Sequence, residues 1–173
     1  GDDFSICSGE IVNIEIPTLS DSINWYLGDS LLNTHQSNIN FEADNSVTVY
    51  AEYINNSNCI GYDTLQVTVN KLPTVDLGED FSICFEDNFE LSVEGAFSKI
   101  NWYSESEGLL ATDQPTLNRT AVNSEKIYVE FTNLNGCFAS DTVNVTVNQL
   151  PDFDLGNDIE LCEGESAVLT VDI

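Results

Sequence analysis

The sequence predicts an all-β chain built from tandem sandwich repeats. Three observations carry that reading: a period of about 77 residues, long runs of two-residue alternation, and cysteines that recur twice per repeat. Gly1-Asp2-Asp3-Phe4-Ser5-Ile6-Cys7 returns as Gly78-Glu79-Asp80-Phe81-Ser82-Ile83-Cys84 and again as Gly156-Asn157-Asp158-Ile159-Glu160-Leu161-Cys162. Asn24-Trp25-Tyr26 returns as Asn101-Trp102-Tyr103, Cys59 as Cys137, and Asn70-Lys71-Leu72-Pro73 as Asn148-Gln149-Leu150-Pro151. The period divides the chain into repeat one at residues 1–73, repeat two at 74–151 and the start of a truncated third repeat at 152–173.

Taken in chain order, early strands fall at residues 11–16 and 23–27, with counterparts at 89–94 and 100–104. Two longer strands follow in each repeat. Val47, Val49, Ala51 and Tyr53 alternate with Thr48, Tyr50 and Glu52, while Ile127, Val129 and Phe131 alternate with Tyr128, Glu130 and Thr132. After a turn at residues 55–58, or at Asn135-Gly136, come Leu65, Val67, Val69 and Val143, Val145, Val147, each alternating with Thr, Gln or Asn. Each pair reads as a hairpin with one buried and one wet face. No segment shows a helical period. Six or seven short strands per repeat, an Asn-Trp-Tyr strand and a paired cysteine framework indicate an immunoglobulin-like β-sandwich. Trp25 and Trp102 read as core residues, with a sugar-binding role as the alternative.

Two cysteines per complete repeat suggest one disulfide in each: Cys7 with Cys59 and Cys84 with Cys137. Cys162 is then left without a partner by truncation. A reactive Cys162 is the alternative, against which stands the lack of a histidine base in its repeat. The expected bond staples the N-terminal strand to the last hairpin of its own repeat, closing a loop of roughly 50 residues and contributing about 3–4 kcal/mol. Disulfides imply an oxidising, extracellular location.

Thirty Asp and Glu against four Lys and Arg give a formal charge of -26 and a pI near 4.1. Nucleic acid and anionic lipid surfaces require clustered cations, and Lys71, Lys99, Arg119 and Lys126 stand singly. A hydrophobic fraction of 42% nevertheless suffices for a core. No apolar run of about 18 residues exists to insert in a membrane, and the first residues lack the regions of a signal peptide, so the chain reads as a mature or excised segment.

The repeats join through Leu72-Pro73-Thr74-Val75-Asp76-Leu77-Gly78, echoed by Leu150-Pro151-Asp152-Phe153-Asp154-Leu155-Gly156. Proline and the apolar/Asp alternation make this a short, stiff linker that docks on its neighbour as a strand edge. Asp76, Glu79 and Asp80, with Asp154 and Asp158 in the next junction, offer hard oxygens that could hold Ca²⁺, whereas turn capping by Asp is the simpler reading. No cofactor is otherwise required. Catalytic chemistry is scarce. His35 stands alone in a polar loop, no phosphate-binding or nucleophile motif occurs, and the acid pairs Glu105/Glu107 and Glu163/Glu165 read as exposed loop carboxylates. An enzyme is not expected.

The combination of Leu72-Pro73, Asp76-Leu77-Gly78-Glu79-Asp80, Ile83-Cys84, Asn101-Trp102-Tyr103, a Cys shortly before Asp141-Thr142-Val143, and Val145-Thr146-Val147-Asn148 resembles the tandem Ig-like or PKD-like repeats of Bacteroidota surface proteins. These are typically large adhesins exported by type IX secretion, the gliding-motility adhesins among them. The resemblance implies a structural and adhesive repeat module of a cell-surface filament, with neighbouring repeats and surface polysaccharide or substratum as partners. A carbohydrate-binding accessory module of a secreted polysaccharide-degrading enzyme is the alternative. The resemblance also implies O-glycosylation at Asp-Ser/Thr sites followed by an apolar residue, which here are Ser22, Ser30, Thr64 and Thr142.

Overall fold

The computed structural model describes residues 1–16, 22–55, 57–154 and 156–168, and among them every regular element is a strand. Repeat one comprises β1 (Phe4–Cys7), β2 (Glu10–Glu15), β3 (Ser22–Leu27), β4 (Ser30–Thr34), β5 (Asn38–Ala43), β6 (Val47–Ile54) and β7 (Ile60–Asn70). Repeat two matches it strand for strand with β8 (Phe81–Cys84), β9 (Asn88–Ser92), β10 (Phe97–Ser104), β11 (Gly108–Thr112), β12 (Thr116–Thr120), β13 (Glu125–Asn133) and β14 (Phe138–Asn148).

In each repeat five strands form one sheet, in the order β1-β7-β6-β3-β4 and β8-β14-β13-β10-β11. The remaining two pair as β2-β5 and β9-β12. All ladders are antiparallel except β1 on β7 and β8 on β14, which are parallel. This is the immunoglobulin-like sandwich that the alternation implied. Its short strands β4, β5, β11 and β12 extend the expected set. Strands β4, β5 and β12 carry Asn, which is depleted in strands, and pairing with β3, β2 and β9 orders them.

The inward residues of the two sheets close a separate core in each repeat. Val12, Ile23, Trp25, Ile39, Val49 and Val67 are buried in the first, and Leu91, Ile100, Trp102, Leu117, Ile127, Val129, Phe131 and Val143 in the second. Both tryptophans are core residues, with Trp25 at 2% and Trp102 at 0% exposure. Each indole N–H still finds a partner, donating to the carbonyl of Gln36 or Gln114 at 2.9 Å. A buried donor is thereby satisfied at both sites.

Candidate functional site

The feature that sets this chain apart is the joint between its repeats, and the cysteines define it. Cys7 bonds Cys137 of repeat two, with Cα atoms 5.6 Å apart. The expected pairs Cys7–Cys59 and Cys84–Cys137 do not form, and Cys59, Cys84 and Cys162 are exposed free thiols. Strand direction explains the correction. Because β1 runs parallel to β7, Cys7 lies opposite Asn70, the last residue of that strand. Cys59 immediately precedes the first. Eleven residues of strand separate the two ends by roughly 33 Å, far beyond the reach of a disulfide. The same geometry places Cys84 opposite Asn148 at the end of β14 and Cys137 just before its start. The N-terminal strand of one repeat thus ends beside the hairpin of the next.

The hairpin that carries Cys137 is shaped by Asn133. Its side-chain oxygen accepts the N–H groups of Asn135 and Cys137, each at 3.0 Å, and its amide donates to the Lys71 carbonyl at 3.2 Å. Cys137 Sγ lies 3.8 Å from the Asn70 carbonyl oxygen. Beyond that point the linker docks on repeat two, though not as a strand. The Leu77 N–H donates to Asp141 Oδ2 at 2.7 Å, and Val75 and Leu77 pack against the core around Trp102. A disulfide, side-chain hydrogen bonds and apolar packing therefore seal one joint.

The acidic residues of the linker serve its turns. Asp76 Oδ1 accepts the Gly78 N–H at 2.8 Å, where Gly78 takes a φ of 83° that favours glycine, and Asp154 does the same for Gly156. Asp80 receives the backbone N–H and side-chain amide of Asn144, both at 2.8 Å. Those two bonds, the backbone one foremost, hold its carboxyl below the usual aspartate range. Glu79 and Asp158 are exposed. Among the described residues no group of three or more His, Cys, Asp or Glu is arranged to hold a metal ion. Turn capping thus accounts for Asp76 and Asp154.

A second feature lies on the outer face of the five-stranded sheets, where alternation turns tyrosines away from the core. Tyr26 and Tyr50 meet edge to face at 5.3 Å between ring centroids, and Tyr50 stacks on Tyr62 at 6.0 Å. Tyr103 and Tyr128 stack at 4.8 Å in the matching position of repeat two. The sequence carried the signal for this row, since Tyr50 and Tyr128 occupy the outward phase of β6 and β13. Repeat two also holds Arg119, whose guanidinium bonds Glu107 and Glu125 at 2.9–3.3 Å and draws the Glu107 carboxyl below its ordinary range.

Ser30, Thr64 and Thr142 are exposed, the two threonines facing Tyr50 and Tyr128 across the ladder. The Ser22 side chain lies outside the described residues. His35 sits in the turn after β4 with a φ of 59°.

Residues 71–151 match the model of the family described as "Ig-like domain CHU_C associated". No curated protein matches the chain in sequence. Solved structures it is similar to include the insect immune protein hemolin, at 15% identity and a TM-score of 0.48, covering 86% of this chain and 45% of that one. Fibronectin(III)-like modules of Clostridium thermocellum CbhA give 15% and 0.42, covering 86% and 90%. The two-domain DIP-gamma IG1+IG2 gives 10% and 0.43, covering 84% and 93%.

Proposed function

We propose that this chain is a non-catalytic structural and adhesive module of a bacterial cell-surface filament, exported and oxidised outside the cytoplasm. The observation that carries the reading is the Cys7–Cys137 bond, which joins two separate cores across a short packed linker. A catalytic or single-ligand domain has no need of such a joint, whereas a filament that transmits force does. The covalent path from Gly1 through Cys7 to Cys137 bypasses residues 8–136. A pull on the ends therefore meets the bond before it can unravel either sandwich. Once the bond is reduced, the parallel β1–β7 and β8–β14 pairs take up the load, because pulling the ends of each repeat then shears their ladders. The family match of repeat two, the disulfide and the acidic surface support export and a role among like-charged neighbouring filaments.

Single-molecule extension tests the mechanism. Reduction of the oxidised chain is expected to release roughly 430–470 Å of additional contour, since the closed loop spans 130 residues of separation. A release of roughly 340–370 Å, the value for two loops of about 50 residues, would contradict it.

The tyrosine row favours a second reading, in which the same surface holds polysaccharide, as a carbohydrate-binding accessory module or an adhesive face would. Retention of Tyr50→Ala on immobilised polysaccharide equal to that of the parent chain would remove it.

A further inference from the structure

The two ends of the two-repeat unit are complementary, and the observed joint shows how. On the hairpin side, Cys59 is held as Cys137 is. Asn55 Oδ1 accepts the Ser57 and Cys59 N–H groups, each at 2.9 Å, and the Asn55 N–H bonds the Cys59 carbonyl at 3.1 Å, as Asn133 bonds that of Cys137 at 2.9 Å. On the strand side, Cys84 is held as Cys7 is: the Phe85 N–H donates to Asn148, as that of Ser8 donates to Asn70, both at 2.9 Å.

In repeat one an apolar cavity of about 160 Å³ opens next to Gly1, lined among others by Ile14, Ile16, Trp25, Ala51, Leu65 and Asp63. Their counterparts in repeat two, Leu91, Val93, Trp102, Val129 and Val143, are buried, and Val75 and Leu77 of the linker pack against that cluster. In repeat one, Ile14, Ile16, Ala51 and Leu65 remain partly exposed. Asp63 receives the Gly1 ammonium at 2.7 Å, where its counterpart Asp141 receives the Leu77 N–H.

We infer that the hairpin end of repeat one is a receptor for the tail of another repeat of the same type. Its cavity takes the two apolar residues of a Leu-Pro-x-apolar-Asp-Leu linker, and Cys59 forms a disulfide with the N-terminal-strand cysteine that accompanies that linker. Cys84, followed by Leu150-Pro151-Asp152-Phe153-Asp154-Leu155, is the matching donor end. Bond formation removes two protons and two electrons from the paired thiols, which a disulfide oxidant such as oxidised glutathione accepts as it is reduced to two thiols. The head-to-tail contact does not close on itself, so it propagates as a filament. This stands whether or not the filament is adhesive.

The test fuses residues 1–77 ahead of Gly1 of the full chain and oxidises the product with a glutathione couple. Non-reducing peptide mapping is expected to show the added Cys7 joined to Cys59, beside the original Cys7–Cys137 bond, with iodoacetamide labelling of Cys59 lost. Leu77→Asp in the added linker should restore that labelling. Persistent labelling of Cys59 while Cys7–Cys137 is intact would overturn the inference. Should the fusion fail to form Cys7–Cys137, the unmodified chain is titrated with a peptide of residues 70–77. Saturable blue-shift of Trp25 emission in a Trp102→Phe background is then expected, and its absence at millimolar peptide overturns the inference equally.

Discussion

Trp102 has no exposed surface and anchors the core of repeat two, with its indole N–H on the Gln114 carbonyl. Replacing it by alanine leaves a large cavity and is expected to cost repeat two about 3–5 kcal/mol, read as the loss of its separate melting transition in calorimetry. Trp102→Phe should cost less, since it retains an aromatic ring and gives up the hydrogen bond. Asp80 governs a different observable. Its carboxyl titrates lower in the folded protein than in the unfolded chain, so the stability it supplies is present above the ordinary aspartate value near pH 4. That stability is lost as pH falls through the depressed value. Asp80→Asn should therefore flatten the acid limb of the melting temperature against pH, and an unchanged limb would show that the Asn144 bonds carry no linkage. At this scale the tryptophans were legible because an apolar ring in a strand-phase position has few places to go. The tyrosine row was legible in principle. The same alternation that points Val49 and Val129 inward points Tyr50 and Tyr128 out.

The hairpin between β13 and β14 is the element that makes the joint, and its twin between β6 and β7 supplies a built-in control. Asn133 and Asn55 shape their turns alike, but only Asn133 also reaches across to the linker at Lys71. Asn133→Ala is therefore expected to cost about 1–2 kcal/mol and to raise hydrogen exchange in residues 71–77. Asn55→Ala should leave exchange in that linker unchanged. Equal effects of the two variants on the linker would mean that the Asn133 amide contributes nothing to the joint. The hairpins were legible because their strands are long and strictly alternating. The short strands β4, β5, β11 and β12 were less so, since Asn38-Ile39-Asn40 or Thr116-Leu117-Asn118 carry weak β propensity and are ordered by their partners. The linker showed its stiffness through Pro73. Its docking onto Asp141 depends on a neighbour 64 residues away, which local pattern does not reveal.

For the whole molecule, the arrangement of cysteines decides whether the repeats are beads on a string or segments of one rod. A periodic sequence cannot distinguish the cases, because pairing within a repeat and pairing to the next differ by one full period and leave the same spacing pattern. The direction of β1 against β7 resolves it, and parallel pairing is a tertiary fact with no local signature. The bond so placed constrains the unfolded chain strongly, by about 4–5 kcal/mol for a loop of this length on the chain-entropy estimate. It also keeps the two sandwiches together when one opens. The charge of -26 makes any two copies of the chain repel each other, with no cation cluster in the sequence to offset it. The most direct measurement of this account is a non-reducing peptide map of the oxidised, thiol-blocked chain. A Cys7–Cys137 peptide with Cys59 and Cys84 recovered as alkylated thiols is the expected result, and peptides joining Cys7 to Cys59 and Cys84 to Cys137 would contradict it.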